Sequence, residues 1–336
     1  MTKILDTTLR DGSYVVNFQI TAEQTYQIAK ALDAEGMDFI EIGHGLGLNA
    51  GSFDSMRGAC NDEEYLEAAA AAIKRAVWGA FFIPGIGRFE DIDLAAKYKM
   101  PMIRIGANIN EFEKAERYIK YAKEKGMFVC ANFMKTYALS YDEAGAVAGK
   151  ADKYGADLIC IVDSAGAMLP EDISGYVRAI RNHSDKEIGF HGHNNLGLAI
   201  MNSVRAVEEN VAVIDSSLRG MGRSAGNTVT EIFLLVLKRM GIDLGYNIYR
   251  LMDISEKYID TMMAGYKQVD SFSILSGFAK FHSSFQTNIY KYSNIYSVDP
   301  RELIVRLCER DCINAPDSLL EEIALELISS KHEQSS

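Results

Sequence analysis

"ADLICIVDSAGAMLPEDISGYVRAI", residues 156–180, reads as a strand, a loop and a helix. The apolar run from Ala156 to Asp163 has the length and β-branched content of a buried strand. Pro170, with Glu171 and Asp172 behind it, marks the acidic first turn of a helix. Eight strand-like runs recur along the first three-quarters of the chain: "KILDTT", "MDFIEIG", "AVWGAFFIP", "MPMIRIG", "MFVCANFM", "ADLICIVD", "EIGFHGH" and "AVIDSSL". Each is followed by a helix-like segment, at 21–35, 62–75, 88–99, 111–125, 140–154, 170–182, 196–209 and 226–240. A spacing of about thirty residues suits parallel strands joined by crossover helices. Eight such pairs predict an α/β protein, a (β/α)8 TIM barrel. A doubly wound sheet is the runner-up, but no G-x-G-x-x-G follows the first strand.

Local signals agree with the alternation. Thr21 and Gln24 form a capping-box pattern. Gly36, Gly126 and Gly155 fall just after helices, where a left-handed residue is needed. From about residue 246 the strands stop. "YRLMDISEKYIDTMM", "GFAKFHSSFQTNIYKYS", "PRELIVRLCERD" and "PDSLLEEIALELISS" all read as helices, and "KHEQSS" as a frayed tail. The expected division is a catalytic barrel at 1–250 and a small helical C-terminal domain at 251–336.

Composition sets bounds. The 336 residues are 48% hydrophobic and 24% charged, ordinary for a globular chain. A net charge of -11 argues against nucleic acid or an anionic membrane as partner. No apolar run is long enough to span a bilayer. The opening "MTKILDTTLRDG" does not have the apolar stretch of a signal peptide. Five cysteines, with no CxxC pair, predict free thiols and a cytoplasmic location.

In a barrel of this kind, chemistry gathers at the C-terminal ends of the strands. Strand 1 leads into "DTTLRDGSY", strand 2 into "EIGHGLG", strand 6 into "VDSAGAM" and strand 7 into "HGHNN". His191 and His193, two apart on a strand, share one face. Either they are a solvated strand end or they grip one metal ion. "RDG" is either a turn with an Arg–Asp ion pair or the source of a third ligand, Asp11. Two imidazoles and a carboxylate leave coordination positions open for substrate oxygens. Arg10 would then set a fixed positive charge beside a developing oxyanion. The glycines of "GMGRSAGN" suit either an anion-binding helix start or a tight turn. Arg104 either reaches the site or pairs with Glu41. Gly85 and Gly87 in "PGIG" read as a strand-to-helix turn.

"DTTLRDG", "EIGHGLGL", "PGIG", "DSAGAM", "HGHNNLGLAIMNSVRAVEE", "SLRGMGRSAGN" and "SGFAKFHSSF" occur in this order along nearly the whole chain. In these motifs the sequence resembles the 4-hydroxy-2-oxovalerate aldolases, within the wider group of hydroxymethylglutaryl-CoA lyase and isopropylmalate synthase. The resemblance implies a lyase that cleaves a 4-hydroxy-2-oxo acid to pyruvate and an aldehyde. It implies a divalent metal, Mn2+ first with Mg2+ or Co2+ as alternatives, on Asp11, His191 and His193. It implies that Arg10 stabilises the pyruvate enolate and that Ser164 lies near the substrate carboxylate. It also implies that the C-terminal helices meet an acylating aldehyde dehydrogenase or a further copy of the chain. Two other readings remain: a Claisen-type acyl-CoA/2-oxo acid synthase, and a partner subunit that has lost its base.

Three positions depart from the family pattern. Tyr14 stands where a histidine, the usual base, is expected. His282 stands where a tyrosine is expected before "SSF". Leu46 stands in place of an acidic residue, in a loop that would face the aldehyde portion of the substrate. A neutral imidazole is a far better base at pH 7 than a phenol. His282 is therefore read as the base and Tyr14 as its hydrogen-bonding partner. His44 is either a second catalytic group or a loop histidine bound to backbone.

Overall fold

The apolar runs form the strands β1 (Lys3–Asp6), β2 (Phe39–Ile42), β3 (Val77–Phe82), β4 (Met102–Asn108), β5 (Phe128–Met134), β6 (Leu158–Asp163), β7 (Glu187–Gly192) and β8 (Val213–Ser216). In the computed structural model, which describes residues 2–266 and 270–334, they close into one parallel barrel in chain order. Closure is made by β1 on β8, with Leu5 opposite Asp215. Between the strands run α1 (Ala22–Ala34), α2 (Asp62–Ala72), α3 (Phe89–Lys97), α4 (Glu116–Glu124), α5 (Tyr141–Tyr154), α6 (Pro170–Arg181) and α7 (Ala199–Glu208), with α8 (Thr230–Arg239) after β8.

Alternation along each strand divides the core in two. Outward residues such as Ile4, Ile40, Ile103, Val129 and Ile159 pack against the helices. Leu5, Met102, Cys130, Leu158, Cys160 and Val213 fill the barrel itself. A fully buried Leu or Ile contributes roughly 1.5–3 kcal/mol. All five cysteines are free thiols. The capping box at Thr21 is made in full, and Pro170 opens α6.

Several helix boundaries differ from the sequence expectation: α2 ends at Ala72 rather than 75, α7 starts at Ala199 rather than 196, and the starts of α4 and α8 differ further. The segment 111–125 does not begin as an α-helix: a 3-10 stretch, Ile109–Ala115, is kinked at Glu111 before α4 starts. The residues ahead of Thr230 form a loop, because their backbone accepts Asn194 N at Gly226 O and Ser217 N at Thr228 O instead of bonding within a helix.

Beyond the barrel, α9 (Ile248–Ile254) passes through one π turn, Ser255–Ile259, into α10 (Asp260–Met262). Leu251, Ile254 and Ile259 join the outer barrel core. Four further helices, α11 (Ser271–Ala279), α12 (Gln286–Tyr296), α13 (Pro300–Arg310) and α14 (Asp317–Gln334), enclose a second core of Phe272, Phe281, Ile289, Leu303 and Ile323. "GFAKFHSSFQTNIYKYS" is not one helix. Lys280 turns left-handed at φ 60° and ends α11; His282 then caps a short 3-10 turn, Ser283–Phe285. The expected fraying of 331–336 falls partly outside the described residues; α14 runs to Gln334. Among the described residues, no helix is long and apolar enough to cross a membrane.

Candidate active site

Asp11 follows β1 at the start of a 3-10 turn whose backbone folds onto Thr7: the amides of Arg10, Asp11 and Gly12 all donate to Thr7 O. His191 lies in β7 and His193 immediately after it, so both rings face the barrel mouth, their centroids 4.9 Å apart. Ligand atoms of Asp11, His191 and His193 lie within 4.8 Å of one another, and all three residues are buried. That bound leaves some point no more than about 2.8 Å from all three, against direct bonds of ~2.0–2.2 Å.

The supporting contacts suit a cation. His191 Nδ1 meets Asp215 Oδ2 at 2.9 Å, which leaves Nε2 for the mouth. A carboxylate behind a ligand imidazole fixes its tautomer and raises its basicity. Asp215 is in turn paired with the fully buried Arg104, which also donates to Glu41 Oε2 at 2.8 Å. Arg104 is thus a buried connector in the middle of β4, one of the two roles expected for it. Burial, the largest single influence, raises the pKa of Asp11, but Arg10, the two histidines and Arg223 together outweigh it and hold the carboxyl well below the usual range. Burial, then Arg223, holds His193 neutral, well below its ordinary value.

Arg10 is clamped from two sides, by Asp11 Oδ1 at 2.7 Å and Glu41 Oε2 at 2.7 Å, and its guanidinium lies 4.8 Å from the Phe81 ring centre. The carboxylate of the "RDG" ion pair and the candidate ligand carboxylate are therefore the same group. Ser164 accepts Lys135 N at its Oγ (2.9 Å). Arg10, Asp11, Tyr14, Leu46, Ser164, His191, His193, Arg223 and His282 all line one chamber. The two exchanged positions do meet at the site. Burial pushes Tyr14 up to about 12. Burial, then Arg223 and Lys135, hold His282 well below its ordinary value. No hydrogen bond joins Tyr14 to His282 among the described residues; His282 Nδ1 is engaged by Ser284 Oγ at 2.7 Å.

Two readings that the sequence leaves open are decided by contacts. His44 is not poised for catalysis: Nε2 meets Met56 O at 2.8 Å and Nδ1 accepts Leu46 N at 3.1 Å, with Phe18 stacked on the ring at 3.9 Å. It holds the β2 loop, and Tyr14 packs edge-on to the same Phe18. "GMGRSAGN" is the tight turn rather than an anion nest, since most of its amides are already used. Arg223 N donates to Asp11 Oδ2, Gly226 N to Arg223 O and Asn227 N to Gly220 O. Sequence reasoning missed Arg223 and Asp215. Arg223 was hidden among glycines. Asp215 carried a usable signal, an acid inside an otherwise apolar strand.

The family model described as HMGL-like matches residues 1–257, and a DmpG-like communication domain matches 267–329. A 4-hydroxy-2-oxovalerate aldolase from Moorella thermoacetica is 37% identical over 328 residues, 98% of this chain and 97% of the relative. The chain belongs to the 4-hydroxy-2-oxovalerate aldolase family. It is an enzyme of the metal-dependent carbon–carbon lyase class. The relative of the same name from Pelotomaculum thermopropionicum is 36% identical over 329 residues, 98% and 97% of the two chains. Among solved structures, the N-terminal domain of a candidate aldolase from Bacteroides vulgatus superposes with a TM-score of 0.75 at 26% identity, over 87% of this chain and 98% of that one. The carboxyl transferase domain of Rhizobium etli pyruvate carboxylase gives 0.78 at 18% identity, over 98% and 60%, and shares the fold.

Proposed function

We propose that the enzyme cleaves, or forms, a 4-hydroxy-2-oxo acid with pyruvate as product or donor. The carrying observation is the convergence of Asp11, His191 and His193 in a buried chamber that also holds Arg10, Ser164 and His282. These three residues would hold a divalent ion, Mn2+ in the first instance, which when bound supplies a Lewis acid for a 2-oxo acid. Arg10, fixed by Asp11 and Glu41, places donors where enolate charge develops, with no reorganisation at the moment of reaction. Ser164 lies where the substrate carboxylate is read, and Leu46 faces the aldehyde portion.

His282 takes the proton from the 4-hydroxyl. Nδ1 is held by Ser284, accepting its N–H at 3.2 Å and meeting its Oγ at 2.7 Å, which leaves Nε2 for the substrate; the base form is the tautomer in which Nδ1–H is donated to Ser284 Oγ and the bond from Ser284 N is given up. Tyr14, held protonated, donates to the same substrate oxygen or to the departing carbonyl. In this reading 1–250 is the catalytic barrel, and 251–336 lends His282 to the site and carries the partner surface. The communication domain supports an acylating aldehyde dehydrogenase as that partner. Five free cysteines support a reducing, cytoplasmic setting.

The test is pyruvate release from a panel of 4-hydroxy-2-oxo acids by manganese-loaded protein, before and after chelation. Release that stops on chelation and returns with manganese is expected. Release that chelation leaves untouched sinks the metal reading, and no release from any member sinks the aldolase reading.

A further inference from the structure

Arg223 has no counterpart in the chemistry described so far. Its backbone N–H steadies Asp11, yet its guanidinium turns into the site. Nη2 donates to Ser164 O and to His193 Nε2, each at 2.9 Å, and Nη1 donates to Ser283 Oγ. These are a carbonyl, a neutral ring and a hydroxyl. Among the described residues no carboxylate pairs with this guanidinium, whereas Arg10 and Arg104 are each paired with two.

Position adds to the argument. Beside the inner chamber lies an outer one, walled by the C-terminal helices. Among the described residues only Tyr14, Leu46, Arg223 and His282 line both, so they form the throat between them. The metal ligands lie on the inner side. The throat is therefore where the substituent on C4 of a 4-hydroxy-2-oxo acid passes. Leu46 contributes no charge there. The one acid among the described residues of the outer wall, Asp270, spends its side chain capping α11 at Ser273 N. Lys135, close enough to be depressed by Arg223 after burial, adds a further cation behind the site. A cationic throat in a protein of net charge -11 concentrates anions at one place.

We infer that Arg223 is a specificity-determining residue that binds a second anionic group, so that the preferred substrate carries a carboxylate on its aldehyde side. This rests on the aldolase reading for the identity of the 2-oxo acid end. It also accounts for the contact with His193. The lone pair of Nε2 can serve a guanidinium or a metal ion, not both. A guanidinium freed from Nε2 is still held by Ser283 at the throat, ready for a distal anion.

The experiment measures equilibrium binding and cleavage separately. Manganese-loaded protein is titrated calorimetrically with 2-oxoglutarate and with 2-oxopentanoate, equal in length but differing in the distal carboxylate. Wild type should bind the dicarboxylate at least about tenfold more tightly, the scale of a charge-assisted hydrogen bond. R223Q should lose that preference while binding 2-oxopentanoate as before, and R223K should recover part of it. Manganese affinity of R223Q, measured alone, should be equal to or higher than that of wild type. Equal binding of the two ligands by wild type, or an equal loss of both in R223Q, overturns the inference. A preference in binding without pyruvate release from any 4-hydroxy-2-oxo acid leaves Arg223 as the anion reader and removes the aldolase reading instead.

Discussion

Arginine at position 10 works by geometry as much as by charge. Its Nε and Nη1 are spent on separate carboxylates, so the planar fork is fixed before substrate arrives. Lysine has one point charge and cannot bridge Asp11 and Glu41 while facing the chamber. Arg10→Lys is expected to lower kcat by at least about a hundredfold, the scale of one lost oxyanion donor; a near-wild-type turnover in steady-state assays would remove Arg10 from enolate stabilisation. His282 invites a different comparison. His282→Ala should cost about a hundredfold or more in cleavage, as for a lost general base, with manganese affinity unchanged. Tyr14→Phe should cost less, because the ring against Phe18 survives and only the hydroxyl is lost. If the two variants fall equally, or if His282→Ala sheds metal, the base assignment fails.

At the scale of elements, the site depends on loops that approach one another closely. Gly166, in the loop after β6, has φ 61° and lies under the His193–Asn195 segment. A Cβ there would sit 2.5 Å from Asn195 N and 2.8 Å from His193 O, both backbone atoms that cannot swing aside. Gly166→Ala should destabilise the fold by at least about 2 kcal/mol and weaken manganese binding through the displaced His193. Paired denaturation and metal titrations check it: a variant with wild-type values for both would show that the loops yield freely. The capping box of α1 lies far from this contact. Caps, proline starts and glycine stops are local, so such features are legible in sequence. The break at Lys280 was not, because "GFAKFHSSF" offers no proline and its glycine lies inside α11. What ends the helix is the docking of Phe281 into the C-terminal core.

For the whole molecule, the barrel interior is a field of buried charge. Asp6, at the end of β1, is wholly buried; burial raises its pKa to about 7, against the pull of its bonds to Thr8. Its folded pKa lies above the unfolded value. The folded state keeps a proton that the unfolded chain has released, so this contribution is full at low pH and is lost as pH rises from about 4 to about 7. Asp6→Asn removes the titration. Urea unfolding at about pH 5 and pH 8 should show the variant gaining on wild type at the higher pH. A constant difference between the two proteins would mean that Asp6 does not titrate in this range.

Sequence alone determined the eightfold alternation, because the period of apolar residues and the local caps are properties of neighbouring residues. It also placed Asp11, His191 and His193 on one rim, because the barrel sends every strand end to the same face. It brought out the exchanged positions 14 and 282 through family resemblance. Only the tertiary structure decided which polar groups were already spent. His44 lost its catalytic candidacy to Met56 O and Leu46 N, and the glycine loop after β8 gave Arg223 N to Asp11 and the amides of Gly226 and Asn227 to itself. Arg104 found Glu41 and Asp215 on two other strands, while the guanidinium of Arg223 found no carboxylate among the described residues. Hydrogen bonds saturate and ion pairs need partners within a few ångströms. Whether a polar side chain is available for chemistry is therefore settled by contacts between residues far apart in the chain, which periodicity and spacing do not encode.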